Sequence, residues 1–457
     1  MMPERASSGN RRTHVRYQIV FFLFLLTALN FADRATLSIA GTDLARDLKL
    51  DPVAMGYVFS AFAWAYVICQ IPGGWLLDRF GSRLIYGWSI ALWSLFTLLQ
   101  GCVFGQEHQF IMRLPFLDPV TVSGAVLMLF TLRFLLGMAE SPSFPANSRI
   151  VASWFPTAER GTAAAIFNSA QYAATVLFAP VMGWITHTLG WPPVFWFMGG
   201  LGLIFAVVWP RIIHGPREHP RANAAEVEHI VRGGGLVDIE DSGQKQGSGP
   251  SWPVLLQLLG NRMLLGIYFG QYCITTLTWF FLTWFPIYLV KDRGMTILQV
   301  GFVAVLPALC GLAGGLGGGL FSDWLLRRGC SLTVARKIPI VGGLLLSVSM
   351  IGCNYVGAQW AVVALMSLAY FGKGIGALGW AVISDASPKQ ITGLSGGLFN
   401  TFGNIAGITT PIAIGYILKS TGSFNGALVF VSAHAVLAIV SYLFIVGEIK
   451  RVELRAA

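Results

Sequence analysis

Long apolar runs separated by short polar breaks dominate this chain. Runs at 17–32, 54–77, 84–103, 120–139 and 190–210 are each close to the ~20 residues that cross a hydrocarbon core at helical rise. Others lie near 163–186, 264–290, 296–322, 338–354, 359–383, 393–418 and 424–447, which makes twelve. Backbone in lipid must satisfy its own hydrogen bonds, and these runs are too long and too uniformly apolar for barrel strands. The pattern predicts an all-α membrane protein with twelve transmembrane helices. Only 213–260 is long and polar. Its Pro216, Pro220, the Gly233-Gly234-Gly235 triplet and Gly247-Ser248-Gly249-Pro250 suit a linker. The expected organisation is a six-helix bundle over 1–212, a cytoplasmic linker over 213–260 and a second six-helix bundle over 261–457.

Composition agrees. Hydrophobic residues are 55% and charged residues 11%, against roughly 25% charged in a soluble domain, so the chain cannot furnish a charged skin. The net charge of +10 would otherwise suggest a nucleic-acid partner, but its distribution points elsewhere. With the N-terminus inside and twelve spans, 22 Lys and Arg fall in cytoplasmic segments and only 6 on the other side (Arg46, Lys49, Arg113, Lys291, Arg293 and Lys419). That is the positive-inside bias, with both termini cytoplasmic and no nucleic acid involved. The six cysteines are scattered without metal or redox spacing, so no metal or cofactor is expected. The first run follows basic residues as a signal peptide does, but it lacks a cleavage site and continues into Asp33 and Arg34, which predicts a retained span.

The halves repeat. Gly74-Trp-Leu-Leu-Asp78 matches Gly319-Leu-Phe-Ser-Asp323 at an offset of 245, and Pro156, Gly161 and Phe167-Asn168 match Pro388, Gly393 and Phe399-Asn400 at 232. The difference of 13 is the extra length of the 103–119 loop over its counterpart near 355–358. Parallel repeats with a central linker suit a carrier that binds cargo between two bundles and rocks around it.

Gly74, Asp78, Arg79, Gly81 and Arg83 form the most specific local motif, with a partial copy in Gly319, Asp323, Arg327 and Arg328. It resembles the loop signature of the major facilitator superfamily. Gly74 would let two helices approach closely, Asp78 accept from a neighbouring helix N-terminus, and Arg79 and Arg83 pair across the cytoplasmic surface. The expected role of these five residues and Asp323 is gating.

Ionisable residues within spans are costly and point to function. The set is Asp33 and Arg34 in span one, Arg133 and Glu140 in span four, and Lys373 in span ten. Arg133 and Glu140, two turns apart, share a helix face; Asp33 and Arg34 splay by about 100°. A carboxylate that loses its arginine to an anionic substrate takes up a proton instead, which would couple the two cargoes.

Asn30-Phe-Ala-Asp33-Arg34 and Arg133-Phe-Leu-Leu-Gly-Met-Ala-Glu140-Ser-Pro-Ser-Phe-Pro145 resemble the first and fourth helices of the anion:cation symporter family. Gly270-Gln-Tyr-Cys-Ile-Thr-Thr-Leu-Thr-Trp-Phe280 and Phe371-Gly-Lys-Gly-Ile-Gly-Ala-Leu-Gly-Trp380 resemble its bacterial glucarate and galactarate permeases. The resemblance implies proton-driven import of a sugar acid by a monomer in the bacterial inner membrane. It implies Asp33 and Glu140 as protonation sites linked by Arg133, and a substrate lining of Arg34, Tyr66, Gln171, Trp380 and Asn400. Phe31 departs from relatives that carry Tyr there, so any hydroxyl contact at that position is lost. The lining also makes chemical sense: a polyhydroxy acid needs a guanidinium, amides and an aromatic face. Lys373, seven residues before Trp380, would share its helix face and draw the far carboxylate of a diacid. Rival readings are a proton symporter for galactonate or a hexuronate, and a membrane sensor without flux, though the linker lacks a folded signalling domain. No nucleophile elbow, zinc helix or phosphate loop suggests an enzyme.

Overall fold

A computed structural model describes residues 12–104, 109–112, 120–157, 159–239, 252–388 and 392–453; side chains at 78, 109–112, 120–122, 252–254, 392 and 393 lie outside the description. Helix α1 spans Val15–Asp47, α2 Pro52–Phe80 and α3 Ser82–Gln100. A hairpin of β1 (Gln109–Met112) and β2 (Val120–Ser123) follows, in the loop expected to carry the extra chain. Then come α4 (Gly124–Glu140), α5 (Ser143–Trp154), α6 (Arg160–Leu189), α7 (Pro192–Ile212), α8 (Ala224–Arg232) and α9 (Trp252–Gly260). The remainder is α10 (Arg262–Thr283), α11 (Phe285–Lys291), α12 (Ile297–Val303), α13 (Val305–Arg327), α14 (Leu332–Ser347), α15 (Gln359–Gly376), α16 (Gly379–Ala386), α17 (Thr392–Thr421) and α18 (Asn425–Val440).

Among the described residues, ten helices or joined helix pairs are long and apolar enough to cross a membrane, eleven with α10 and α11 taken as one span bent by 50° at Trp284. The third expected run, now α3, falls short in hydropathy rather than length. It is 19 residues long but buries Ser89, Ser94, Thr97 and Gln100 against its neighbours. The fourth run begins later than expected, because 120–123 is strand. Several spans are broken: α4 from α5 at Ser141–Pro142, α12 from α13 at Ala304, and α15 from α16 at Ala377–Leu378.

α1 packs on α6 and α7, α3 on α4 and α7, and α2 on α4; α10 packs on α17 and α18, and α13 on α14 and α15. The two sets meet where α6 lies against α12 and α13 and where α2 crosses α17. A Cβ on Gly415 would stand 2.6 Å from the Pro52 carbonyl oxygen, one on Gly56 2.6 Å from that of Pro411, and one on Gly407 2.8 Å from the Ala63 side chain. Glycine there lets two backbones touch. Near the α1–α2 loop end of this seam, Lys419 pairs with Asp51 at 2.9 Å, and Tyr57 and Tyr416 share a hydrogen bond of 3.3 Å. Toward the other end of α2 and α17 the contact ceases: Gly74 and Gly397 have nothing within 4 Å of a Cβ position. Among the described residues, the α2–α17 seam is closed toward the α1–α2 loop and open toward the opposite end.

The described part of 213–260 is folded rather than a loose tether. The buried Glu226 of α8 accepts from the backbone N–H of Val15 and Arg16 at 3.1 and 3.2 Å and from the Thr13 hydroxyl at 2.6 Å. It therefore caps α1, whose own N-cap side chain makes no capping bond.

Candidate substrate and proton site

The site is built on the middle of α1 and the C-terminal half of α4. Asp33, Arg34, Arg133 and Glu140 are all buried, the last two completely. Arg34 donates from Nε to Glu140 Oε2 at 2.9 Å and from Nη2 to Asn30 Oδ1 at 2.9 Å. Its guanidinium stacks on Phe62 at 4.5 Å, Phe31 at 4.9 Å and Tyr66 at 5.1 Å. Tyr66, singled out from the sequence, thus belongs to the box around Arg34. Arg133 lies 5.8 Å from the Phe62 ring and bonds to neither carboxylate, so the expected Arg133 link between Asp33 and Glu140 is not made in this conformation. Among the described residues, both oxygens of Asp33, all three guanidinium nitrogens of Arg133 and Oε1 of Glu140 have no hydrogen-bond partner. Each such group costs about 1–3 kcal/mol, and more when charged. The cluster therefore has spare capacity for protons and ligand.

Beside it lies a cavity of about 70 Å³ between α1 and α6 on one side and α10, α11, α13 and α15 on the other. Phe31, Gln171, Thr175, Thr278, Phe281 and Tyr370 are among its walls. Of the expected substrate residues only Gln171 lines it, its amide donating to the Asn168 carbonyl at 3.3 Å. Trp380 and Asn400 stand away from it on α16 and α17. Trp380 is 52% exposed and packs edge-on against Phe399 at 4.9 Å. Asn400 accepts from Asn404 at 3.1 Å. Lys373 is 5% exposed, with its ammonium 5.2 Å from the Tyr370 ring centroid. The expectation that Lys373 and Trp380 share one helix face fails, because α15 ends at Gly376 and α16 begins in a new phase at Gly379.

Two groups escaped the sequence reading. Gln271 on α10 places its Oε1 2.7 Å from a Cβ position on Gly379 and its Nε2 3.5 Å from one on Gly403, so its amide sits between α16 and α17. The aromatic wall of Phe281 and Tyr370, with ring centroids 4.3 Å apart, is the other. Both fall in or beside the Gly270 and Phe371 motifs, which were the available signal.

A family model described as Major Facilitator Superfamily matches residues 23–411. The chain is 62% identical over 98% of its length to the Bacillus subtilis (strain 168) protein named "Probable galactarate/D-glucarate transporter GudP", covering 95% of that protein. It is 59% identical over 99% of its length to the Escherichia coli (strain K12) protein of the same name, covering 98% of it. A solved D-xylose-proton symporter superposes with a TM-score of 0.68 at 17% identity, over 95% of this chain and 98% of that one. The chain belongs to the major facilitator superfamily. It is therefore a multi-pass membrane protein of a transporter family, not an enzyme.

Within that superfamily fold, the loop motif sits at the open end. Asp78 lies in the last turn of α2, with its side chain outside the described set. Gly81, at φ 81°, ends α2 with its N–H on the Leu77 carbonyl at 2.9 Å. Arg83 donates to the Pro210 carbonyl at 2.8 Å, tying α3 to α7, while Arg79 is exposed beside Trp75 and Phe80. The close approach expected of Gly74 is made one residue earlier: a Cβ on Gly73 would stand 2.9 Å from Ser141 Oγ. The second half does the same, since Gly319 is open and Gly318 faces the Ile375 carbonyl at 2.5 Å. One residue turns a helix by 100°, so Gly74 and Gly319 point off the packed face. Asp323 is 3.8 Å from Arg336, whose Nε donates to Asp385 at 2.9 Å. Arg336 is the hub joining α13, α14 and α16.

Proposed function

We propose that this chain imports a sugar acid, galactarate or D-glucarate, together with protons, by alternating access across a bacterial inner membrane. The carrying observation is the single closed ion pair of the buried cluster. Arg34 is held by Glu140 while Asp33 and Arg133 have no hydrogen-bond partner among the described residues. A substrate carboxylate competes with Glu140 for Arg34, and a carboxylate released from its arginine in an apolar setting takes a proton. A sugar diacid carries two negative charges, each opposed by about 2.3 kcal/mol per 100 mV on entering a negative interior. Two protons, on Asp33 and Glu140, offset both.

In this reading α3 also spans, which completes twelve helices in two bundles, 1–212 and 261–457, joined by 213–260 with both termini cytoplasmic. The open end then faces the cytoplasm. Gln171, Tyr66, Trp380 and Asn400 complete the substrate lining when the bundles close on it. Gly74, Asp78, Arg79, Gly81, Arg83 and Asp323 gate that end, with Gly74 and Gly319 meeting the opposite bundle in the other conformation. Names of relatives more than half identical over nearly the whole chain support the substrate class.

Uptake of labelled galactarate into proteoliposomes with an alkaline interior tests the reading, with accumulation above the external concentration expected. Asp33→Asn should keep counterflow and lose uphill uptake. Unchanged uphill uptake by that variant would sink the coupling, and binding without flux would favour the sensor.

A further inference from the structure

The cavity has an aromatic wall on each helix set, and each wall is backed by a buried cation. Phe31 of α1 lines it and carries the Arg34 guanidinium 4.9 Å from its ring. Tyr370 of α15 lines it from the other set and carries the Lys373 ammonium 5.2 Å from its ring. The two cations differ in one respect. Arg34 has Glu140, whereas Lys373 makes no ion pair or hydrogen bond to any described residue. A buried ammonium without an anion is costly. The Tyr370 ring and the negative end of α15, whose last turn holds Lys373, offset only part of that cost.

From this geometry we infer that Lys373 is the specificity-determining residue for the second carboxylate of a diacid, with Arg34 taking the first. The inference rests on the sugar-acid reading above and adds the reason for preferring a diacid. An acid bound between the Phe31 and Tyr370 walls meets a cation behind each. The ammonium is compact and sits on a flexible four-carbon stem, so it can swing around Tyr370 to the cavity where a rigid guanidinium fork could not. A monoacid of the same skeleton uses only Arg34 and gains nothing from Lys373. A lysine serving only helix packing would affect both acids alike.

The test uses the purified full chain and ligand-induced thermal stabilisation, titrated with galactarate and with galactonate, the monoacid that differs at one end. Wild type should bind galactarate roughly tenfold or more tightly than galactonate. Lys373→Met should weaken galactarate by about tenfold and galactonate by less than about threefold, and Lys373→Arg, whose rigid fork cannot make the swing, should lose most of the preference as well. Equal affinities in wild type, or equal changes for both acids in Lys373→Met, overturn the inference alone. A wild type that neither acid stabilises overturns the sugar-acid reading and this inference with it. If Lys373→Met does not fold, Lys373→Gln carries the same comparison, and the wild-type ratio stands without any variant.

Discussion

Adding one methyl group at Gly56 should tip the molecule toward its other conformation. In the closed seam that methyl carbon would stand 2.6 Å from the Pro411 carbonyl oxygen and 3.2 Å from the Ile412 Cα. Both are backbone atoms, so no side-chain rotation relieves the clash and α2 or α17 must shift. Overpacking of this kind costs about 1–3 kcal/mol, and only while the seam is shut. The gain in helix propensity from Gly to Ala, about 1 kcal/mol, is equal in both conformations and cancels. Gly56→Ala should therefore move the equilibrium by about 5–150-fold toward the seam-open state. Pulsed electron paramagnetic resonance between labels at Arg46→Cys and Ser420→Cys, in a chain whose six native cysteines are replaced, reads the distance across that end. A longer-distance population should appear in Gly56→Ala. It should be absent from Gly342→Ala, where a Cβ meets nothing within 4 Å. An unchanged distribution in Gly56→Ala would show that the seam yields locally and does not control the conformation.

The same labels report on Asp51. Burial alone would raise its carboxyl, but the Ala54 N–H and the Lys419 ammonium outweigh burial and hold it below the usual carboxylate range. The closed seam therefore binds fewer protons there than an open seam that has lost Lys419. Its contribution is complete above the ordinary carboxylate value of about 3.9 and fades as pH falls through the lower one, so acid should lengthen the distance. Asp51→Asn, which keeps the helix cap, should lose that response. Lys419→Gln should open the seam less than Gly56→Ala does, and high salt should mimic it, because the pair is exposed. At the other end, Glu226→Ala removes the cap on α1 and a buried partner of Arg16, a loss of about 3 kcal/mol. Its thermal unfolding in detergent should drop by several degrees, and an unchanged transition would mean that α8 docks without stabilising α1.

Much of this architecture is legible because lipid imposes a simple rule on sequence: a run of about twenty apolar residues has few alternatives to a helix. The breaks are harder to read, because an apolar run does not announce its phase. Gly372, Gly374 and Gly376 were visible, yet nothing in them says that α15 stops there and that Trp380 restarts on a new helix. The linker did carry a usable signal. Asn223 followed three residues later by Glu226, just ahead of Val227 and Ile230, is a helix N-terminus pattern, and α8 begins there. The neighbouring glycines and prolines drew attention to a loop instead. Gly74 shows the limit of motif reading: the motif's small residues were recognised, but which of two adjacent glycines packs depends on helix rotation that only the neighbouring helices fix.

The pairing of the buried charges depends on still less local information. Two anions and two cations on α1 and α4 admit more than one arrangement, and counting charges does not choose between them. Phe62, on a third helix, fixes much of the choice. Its ring lies 4.5 Å from the Arg34 guanidinium and 5.8 Å from that of Arg133, so it keeps company with both cations. With Phe31 and Tyr66 it boxes Arg34 at the position where Nε meets Glu140. No charge rule would have singled out a phenylalanine on α2. The outcome is a half-satisfied cluster, with one pair closed and Asp33 and Arg133 without hydrogen-bond partners among the described residues. A fully paired set of four would be more stable and would have nothing to exchange. In the proposed mechanism, a cluster that holds Arg34 by one carboxylate, with another acid and another guanidinium unbonded among the described residues, gives up that arginine to an incoming acid and keeps its charge balanced with a proton.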